Sequence, residues 1–408
     1  MSNTTHAVWP FEPNWTNRVS ETLEWLTDVL RSREGAEQRR SLRYHPKRTL
    51  AFSVGVYGDD RTLLDNLLAT HGGRPWHLPL WYDVAIARDI NIGKFIPCSV
   101  GESSRIVQGV LLFVPGKTSF DYRVLKVASV NLSGITLEET PTMPVLKGTK
   151  LYPMTLARLA ELPELTAVTD EYASADMQFA INEAYGPSDV SQSSAGLSET
   201  YLGHGVLTQE ANWQQSPQHG SERLIDEIVG EGGSSYHVDV ARRPFPSRKF
   251  TWFLSGFEGH HTFYRLMQHL RGRAVPVWLP TWTYDLRLVA PTTRTGRTMR
   301  VARSGFVLNG GPRPERDHIM IETVDGRRFY RRITSAIMAE TDVERIGINI
   351  AFGEVIKPDD VLRICFMSLM RLDHDSIEIE HLTDLEGMSE VTLTFRSAPS
   401  LRVASGGF

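Results

Sequence analysis

Two alternating runs of aromatic, aliphatic and polar residues predict one strand in each half of the chain. The first extends from Leu50 to Val54, and the second from Phe250 to Leu254. Side chains on successive strand residues point to opposite faces, so this alternation is typical of a strand with one buried face. The two runs are almost equally long and stand about 200 residues apart.

A helical pattern follows each of these strands. In the first half, Asp59 and Asp60 are candidate N-caps and Gly72 is the expected stop. In the second half the corresponding helix is expected to end at Gly272. Apolar residues at helical spacing form the buried stripe of each predicted helix: Leu63, Leu64, Leu67 and Leu68 in the first, and Phe263, Tyr264, Met267 and Leu270 in the second.

The rest of the chain contains short alternating segments separated by turn residues, which predict further strands. The overall pattern therefore predicts a mainly β fold with minor α, built as two tandem β-sandwich or split-barrel domains with one packed helix each. The predicted strands are Ile106 to Val114, Tyr122 to Val130, Ile135 to Glu138, His318 to Thr323, Arg345 to Phe352 and Ile377 to His381.

An internal repeat supports the two-domain prediction, because ordered matches occur at an offset close to 200 residues. The matched positions are tryptophan, proline, arginine and leucine, which build scaffolds, rather than nucleophiles or ligands. They are Trp15 with Trp213, Pro46 with Pro246, Arg48 with Arg248, and Leu78, Pro79 and Trp81 with Leu279, Pro280 and Trp282.

The boundary between the copies is placed in a segment rich in Ser and Gly with few large apolar residues, a composition typical of linkers or surface arms. We predict a first module over residues 1–185, a polar linker or arm over residues 186–205, and a second module over residues 206–408.

Composition excludes several classes of protein. The formal net charge of −4 includes no long basic run, so neither a nucleic-acid footprint nor a polybasic membrane surface is predicted. The longest apolar runs are far shorter than the roughly 20 residues that a membrane-spanning helix needs. No signal peptide is recognised at the start of the chain. The only two cysteines, Cys98 and Cys365, lie in apolar stretches and are expected to be buried free thiols.

Candidate chemistry is sparse, and the sequence predicts no catalytic, cofactor-binding or metal-ligating residue. Gly116-Lys117-Thr118 lacks the first glycine of a phosphate-binding loop and is expected to be a turn. Two histidines, His260 and His261, are adjacent and are expected on the surface of a helix N-terminus. The segment Asp373-His374-Asp375 is expected to be a loop before a strand.

Tryptophans and arginines each allow two interpretations. Either the tryptophans line a sugar-binding face or they fill a core, and their repetition at matching places favours the core. The arginines are expected on a solvated or subunit-facing surface, where Arg is enriched. These residues are Trp76, Trp81, Trp278 and Trp282, and Arg39, Arg40, Arg43, Arg48, Arg242, Arg243 and Arg248.

The segment Thr27 to Val54, followed by a short helix and Gly-Arg-Pro-Trp-His-Leu-Pro-Leu-Trp, resembles tail proteins of long-tailed bacteriophages, and more narrowly the distal-tail or baseplate group. The resemblance rests on a Gly-x-Glu-x-Arg element at Gly35, Glu37 and Arg39, a following Pro-x-Arg element, and a strand-helix-strand order. The second half lacks the Glu-x-Arg element, so its contacts are expected to differ.

This resemblance implies a structural virion protein without cofactors, made in the host cytoplasm and built into the phage tail. Such a protein forms a ring at the tail tip that links the tail tube to the baseplate hub and often carries receptor-binding proteins. Two modules per chain allow either a hexamer or a trimer with pseudo-sixfold symmetry.

Two other functions stay open at this stage. The first is a carbohydrate- or receptor-binding module that uses exposed tryptophans. The second is a hydrolase built on carboxylates such as Asp59 and Asp359.

Overall fold

The structure, a computed structural model, describes residues 6–100, 104–182, 197–229, 231–384 and 387–398. Within these ranges the chain forms 28 strands, two α-helices and two short 3-10 turns. The predicted fold class, mainly β with minor α, is confirmed, as is the placement of one helix in each half.

The first half contains fourteen strands and one helix among its described residues. In chain order they are β1 (Ala7–Val8), β2 (Val19–Glu24), β3 (Thr27–Arg31), β4 (Glu37–Ser41), β5 (Lys47–Tyr57), α1 (Asp59–His71), β6 (Trp76–Pro79), β7 (Ala85–Ile86), β8 (Phe95–Pro97), β9 (Leu111–Val114), β10 (Arg123–Asn131), β11 (Gly134–Leu137), β12 (Lys150–Leu159), β13 (Thr166–Ala167) and β14 (Tyr172–Ile181).

The second half also contains fourteen strands and one helix among its described residues. In chain order they are β15 (Glu199–Tyr201), β16 (His204–Val206), β17 (Gln218–Glu222), β18 (Ile225–Val229), β19 (Ser235–Asp239), β20 (Phe245–Leu254), α2 (Gly256–Leu270), β21 (Val277–Pro280), β22 (Thr298–Ala302), β23 (His318–Thr323), β24 (Arg328–Glu340), β25 (Val343–Ile348), β26 (Val361–Leu372), β27 (Ser376–His381) and β28 (Ser389–Ser397).

One antiparallel sheet runs through both halves of the chain. Its strands follow the order β14-β5-β2-β27-β28-β20-β17. The halves meet where β2 pairs with β27, with Val19 opposite His381 and Glu24 opposite Ser376. Backbone hydrogen bonds therefore connect the start of the chain directly to its last strands.

Several pairings of the first half recur in the second. Strand β1 lies parallel to β6, and β16 lies parallel to β21. In the same way, β12 pairs with β6 and β14, while β26 pairs with β21 and β28. Local contacts recur as well: the Asn14 backbone N–H donates to the Ser53 carbonyl, and the Asn212 N–H donates to the Thr251 carbonyl. These recurring contacts agree with the internal sequence repeat.

The described apolar side chains form four buried clusters: two within the first half, one within the second, and one that is built mainly from the second half. The large cluster under β20 and α2 also contains Leu23 and Trp25, which come from β2 and the residue after it. Burial of these two side chains from the first half adds hydrophobic contact to the strand pairing between β2 and β27.

The helices follow the predicted stripes, with corrections at their ends. Helix α1 begins at Asp59 with Gly58 as the cap, so the prediction of Asp59 and Asp60 as N-caps is wrong. Gly58 adopts φ 54°, which glycine tolerates, and the two carboxylates lie in the first turn near the unpaired N–H groups. Gly72 ends α1 as predicted, whereas Arg271 rather than Gly272 forms the cap of α2.

The predicted strands mostly exist, but two are shorter than expected. His318–Thr323 has the predicted bounds. The strand predicted from Ile106 begins only at Leu111, because Gly109 adopts φ 85° and the Val110 N–H turns back to the Val107 carbonyl. The strand predicted up to Phe352 ends at Ile348.

The division into modules 1–185 and 206–408 with a linker between them stays a prediction. Residues 183–196 of this region lie outside the described ranges. The described residues that follow form β15 and the start of β16, which make a small hairpin from Glu199 to Val206.

Both cysteines are buried and free, as predicted from their apolar surroundings. Burial raises the pKa of the Cys98 thiol to about 11 and that of the Cys365 thiol to about 12.

Candidate functional site

The Gly-x-Glu-x-Arg element lies at the end of the β3–β4 hairpin and joins the first half to the second. Glu37 accepts two parallel hydrogen bonds from Arg371 of β26, from Nε at 2.8 Å and from Nη2 at 2.7 Å. Arg371 is only 2% exposed, and its Nη1 also donates to the Leu372 carbonyl. Both charged groups are buried, and two parallel hydrogen bonds join them. This pair therefore fixes the position of the hairpin on β26.

Electrostatics around Glu37 favour its ionised form. Burial alone would raise the pKa of this carboxyl, but the hydrogen bonds and charge of Arg371 outweigh burial and hold the pKa below its usual value. Arg39 extends the contact, since its Nη1 donates to the Arg273 carbonyl at 3.2 Å. Both charged residues of the element therefore bind the second half.

A second contact anchors the start of β3. The Asp375 carboxylate accepts from the Thr27 backbone N–H at 2.8 Å, the Thr27 hydroxyl at 2.9 Å and the Arg273 backbone N–H at 2.9 Å. The Trp25 backbone N–H donates to the Asp375 carbonyl. The segment Asp373-His374-Asp375 is a loop, as predicted, and Asp375 holds the two halves together.

The third contact is a buried polar cluster centred on Glu21 of β2, which is fully buried. Arg48 of β5 donates to Oε1 from Nε at 2.8 Å and from Nη2 at 2.6 Å, and its Nη2 also donates to the Tyr82 hydroxyl. On the other side, the Tyr264 hydroxyl of α2 donates to Oε2. Glu21 thus joins side chains from both halves.

Two histidines extend this cluster through one serine. His381 of β27 lies with Nε2 at 3.3 Å from Glu21 Oε2 and Nδ1 at 2.8 Å from the Ser389 hydroxyl. The same hydroxyl is 2.7 Å from Nε2 of His260, which belongs to α2. Tyr82 stacks on His381 with ring centroids 3.9 Å apart. We name Glu21, Arg48, Tyr264, His260, Ser389 and His381 the buried polar cluster.

A cavity of about 150 Å³ lies beside the buried polar cluster. Residues from both halves line it, including Tyr82, Asp83, Arg105, His260 and Tyr264. Burial raises the pKa of Asp83, although its carboxylate accepts from the Ser104 hydroxyl and the Arg105 N–H.

The order carboxylate, imidazole, hydroxyl in the buried polar cluster resembles the relay of a serine hydrolase. A nucleophile must reach its substrate, however, and Ser389 is 0% exposed and does not line the cavity. Its hydroxyl lies between two imidazoles. The arrangement therefore suits a structural connection between strands better than acyl transfer.

A network of ion pairs holds Glu199 of β15 and the nearby Glu210 against strands β23, β24 and β26. Glu322 lies between two arginines, 2.9 Å from Arg328 and 2.7 Å from Arg363. These arginines in turn pair with Glu199 and Glu210 at 2.9 and 2.8 Å. Among the described residues, no group of three or more His, Cys, Asp or Glu is placed to hold a metal ion.

The repeated tryptophans fill cores, as their repetition indicated. Trp76, Trp81, Trp278 and Trp282 are 0%, 1%, 6% and 2% exposed. A sugar platform on these four residues is therefore wrong, because a platform must present a ring face to solvent. The preceding residues of both copies, Leu78 and Pro79 in β6 and Leu279 and Pro280 in β21, are buried strand residues.

The remaining residues of the predicted internal repeat lie at separate places in the structure. Trp15 is half-buried and Trp213 is 48% exposed, whereas Pro46 lies just before β5 and Pro246 lies in β20. None of these four belongs to the buried polar cluster or to the Glu37 contact.

Two arginines and one histidine that the sequence placed on the surface are buried instead. Arg48 and Arg248 are 3% and 5% exposed, so the prediction of a solvated or subunit-facing arginine surface is wrong for both. Burial lowers the pKa of Arg248 to about 10, and its Nη2 donates to the Ser368 hydroxyl. His260 is also buried rather than on the helix surface, because α2 packs that side against β28.

Sequence reasoning missed Glu21, Ser389, His381 and Arg371. The sequence contained a signal for two of them, Glu21 and His381. Strand β2 alternates with Val19, Glu21 and Leu23 pointing inward, and in β27 His381 follows two inward isoleucines. A charged or titratable residue at an inward position of an alternating strand needs a partner, which predicts a buried polar contact.

No family model matches the sequence, and a search of curated proteins finds no relative. Neither helix in the described ranges is long and apolar enough to cross a membrane.

Proposed function

We propose that this chain is a structural component of the tail tip or baseplate of a long-tailed bacteriophage. In this role it forms a homo-oligomeric ring between the tail tube and the baseplate hub and contributes to the attachment of receptor-binding proteins. Support comes from the tail-protein resemblance of residues 27–54 and from the use of its Gly-x-Glu-x-Arg element to fix one half on the other.

The observation that carries the proposal is the β18–β19 hairpin. Its strands pair only with each other in the described chain, and nearly all of its residues are exposed. It presents Ile225, Ile228, Val229 and Tyr236 at 53%, 60%, 67% and 68% exposure. An isolated two-stranded hairpin is marginally stable in water. Ile228 and Tyr236 share one face of it and Ile225 and Val229 the other, so both faces present apolar side chains that a partner could bury. A neighbouring subunit would cover this hairpin in a ring.

Ring geometry follows from the repeated halves. Because β-pairings of the first half recur in the second, three chains would present six similar units, and six chains would present two stacked rings. Both arrangements suit a tail with sixfold symmetry.

The oligomeric state tests the proposal. We expect the purified protein to be a trimer or hexamer by native mass spectrometry and sedimentation. A charge placed in the hairpin, Ile228→Asp or Tyr236→Asp, should dissociate the oligomer, because burial of an unpaired carboxylate is costly.

Val324→Asp is the matched control, since Val324 is 68% exposed in the turn between β23 and β24. This variant should keep the oligomer. A wild-type protein that stays monomeric at high concentration would contradict the proposed ring, and a hairpin variant that assembles normally would contradict the hairpin as its subunit contact. Antibody labelling of phage particles at the tail tip would test the location independently.

A further inference from the structure

A continuous chain of four short polar contacts runs through the buried polar cluster. From one end, the Gly256 carbonyl is 2.7 Å from His260 Nδ1, and His260 Nε2 is 2.7 Å from the Ser389 hydroxyl. The same hydroxyl is 2.8 Å from His381 Nδ1, and His381 Nε2 is 3.3 Å from a Glu21 carboxylate oxygen. Each of these four contacts needs one proton between its heavy atoms to be a hydrogen bond.

The available protons can be counted. A backbone carbonyl and an ionised carboxylate only accept, so neither end of the chain supplies a proton. A neutral imidazole carries one ring proton and a hydroxyl carries one, which gives three protons for four contacts. With three protons, one contact would bring two lone pairs together. A fourth proton completes all four hydrogen bonds.

The fourth proton does not reside on Glu21. That carboxylate already accepts two hydrogen bonds from Arg48 and one from the Tyr264 hydroxyl. Burial would raise the pKa of Glu21, but the charge of Arg48 and the hydrogen bond of His381 hold it well below its usual value. Glu21 is therefore ionised, and the extra proton belongs to the two imidazoles.

We propose that His260, Ser389 and His381 together hold this fourth proton, and with it one buried positive charge, at neutral and mildly alkaline pH, and that it connects α2 and β28 to β2 through Glu21. It resides mainly on His381, which faces the carboxylate, whereas His260 contacts the Gly256 carbonyl and the serine hydroxyl. Burial and the charge of His381 lower the pKa of His260, which agrees with a neutral ring there.

Charged groups from several elements surround the buried polar cluster, and Asp384 lines the adjoining cavity with His260. Arg48 of β5 and Arg105, whose Nη2 is 3.5 Å from Glu21, oppose a further positive charge. The Glu21 carboxylate favours it, whereas burial raises the pKa of Asp83. The Tyr82 ring covers one face of His381, and the Tyr264 hydroxyl donates to Glu21. The cost of leaving one of the four hydrogen bonds unformed decides whether the fourth proton is bound, because a buried polar group without a partner is costly.

The consequence is a pH-dependent connection between the halves. Above about pH 6.5 free imidazoles lose their charge, so the folded protein binds one proton more than the unfolded chain. Stability gained from this proton is complete at lower pH and is lost as the pH rises. The unfolding equilibrium constant should increase about tenfold per pH unit until the folded protein also releases the proton. This inference does not depend on the proposed role in a phage tail.

Nitrogen-15 NMR of protein labelled in its histidine rings tests the proton count directly. At about pH 8, nearly all of the 13 histidines should be neutral. We expect one ring to show both nitrogens protonated. In Ser389→Ala two contacts disappear, so two protons suffice and the imidazolium should be lost, although no titratable group has been changed. It should also be lost in His381→Gln.

His374→Gln is the matched control, because His374 lies in the exposed loop before β27 with its side chain 74% exposed. This variant should keep the imidazolium. Wild-type protein with only neutral rings at about pH 8 would overturn the proposal. So would an imidazolium that persists in folded Ser389→Ala. If either variant fails to fold, the wild-type spectrum still decides.

Discussion

Glu37 and Arg371 form a buried ion pair although 334 positions separate them in the sequence. Taking both charges out of water costs several kcal/mol per ion, and only close bidentate contact offsets that cost. Loss of one partner would leave the other charge buried without compensation. The pair therefore makes the position of the β3–β4 hairpin sensitive to single substitutions.

Glu37→Gln should reduce the free energy of unfolding by about 3 to 5 kcal/mol, because it leaves the Arg371 guanidinium buried without a countercharge. Urea unfolding measures this change. Arg33→Ala is the matched control in the same hairpin: Arg33 is exposed and pairs with exposed Asp226, so its loss should leave the urea unfolding midpoint nearly unchanged. Equal effects of the two substitutions would show that burial of the Glu37 pair adds nothing.

At the residue scale, the sequence predicted the positions of motif residues better than it predicted which side chains they contact. The Gly-x-Glu-x-Arg element was recognised, but no local pattern connects Glu37 with Arg371. His260 was placed on the surface because its partner Ser389 lies 129 positions away in the sequence. Burial of the repeated tryptophans was predictable, since repetition of a large apolar residue at matching places already favours a core.

At the scale of elements, the turn of the β3–β4 hairpin depends on Gly35. Gly35 adopts φ 82°, its N–H donates to the Ser32 carbonyl, and a Cβ added there would lie 2.5 Å from the Phe245 ring. The turn therefore needs glycine for its backbone conformation and also for close approach to the second half.

Gly35→Ala should destabilise the protein by about 1 kcal/mol for the strained backbone and a further ~1 to 3 kcal/mol for displacing Phe245. Gly233→Ala separates the two effects, because Gly233 has φ 79° but nothing within 4 Å of an added Cβ. The difference in thermal unfolding between the variants gives the packing contribution. A larger loss at Gly233 would contradict this account.

The sequence predicted several elements whose alternation was clear, but it missed the alternating strand β2 and elements without alternation. Strand β23 has the predicted bounds, and both helices lie where predicted, although the N-cap of α1 and the C-cap of α2 differ from the prediction. Strand β24 was missed because its outer part, from Thr334 to Glu340, has no buried residue and so lacks the alternation of a core-facing strand. The turn at Gly109 was missed because apolar residues continue on both sides of it.

At the scale of the whole molecule, the sheet that passes through β2 and β27 makes the two halves depend on each other. The first half contributes Leu23 and Trp25 to a core of the second. The edge of β2 that faces β27 has no other strand partner in the described chain. An unpaired edge next to exposed apolar side chains favours aggregation.

Residues 1–185 expressed alone should therefore aggregate or self-associate in size-exclusion chromatography. Co-expression with residues 197–408 should restore a soluble complex, because it supplies β27 and the core around Trp25. The same fragment carrying Trp25→Ser tests whether the exposed tryptophan contributes to the aggregation. A monodisperse, folded monomer of residues 1–185 would show instead that the first half is an independent module.

The pairing of β2 with β27 also has a consequence for synthesis. Glu21 and His381 are 360 residues apart, so at roughly 5 to 20 residues per second β2 waits about 20 to 70 s on the ribosome for its partner. A waiting strand risks pairing with a neighbouring nascent chain. Glu21 and Glu24 place two negative charges on this short strand, and like charges discourage such pairing. The Glu21 carboxylate, which faces His381 only once β27 has been made, would thus first discourage wrong strand pairing during translation.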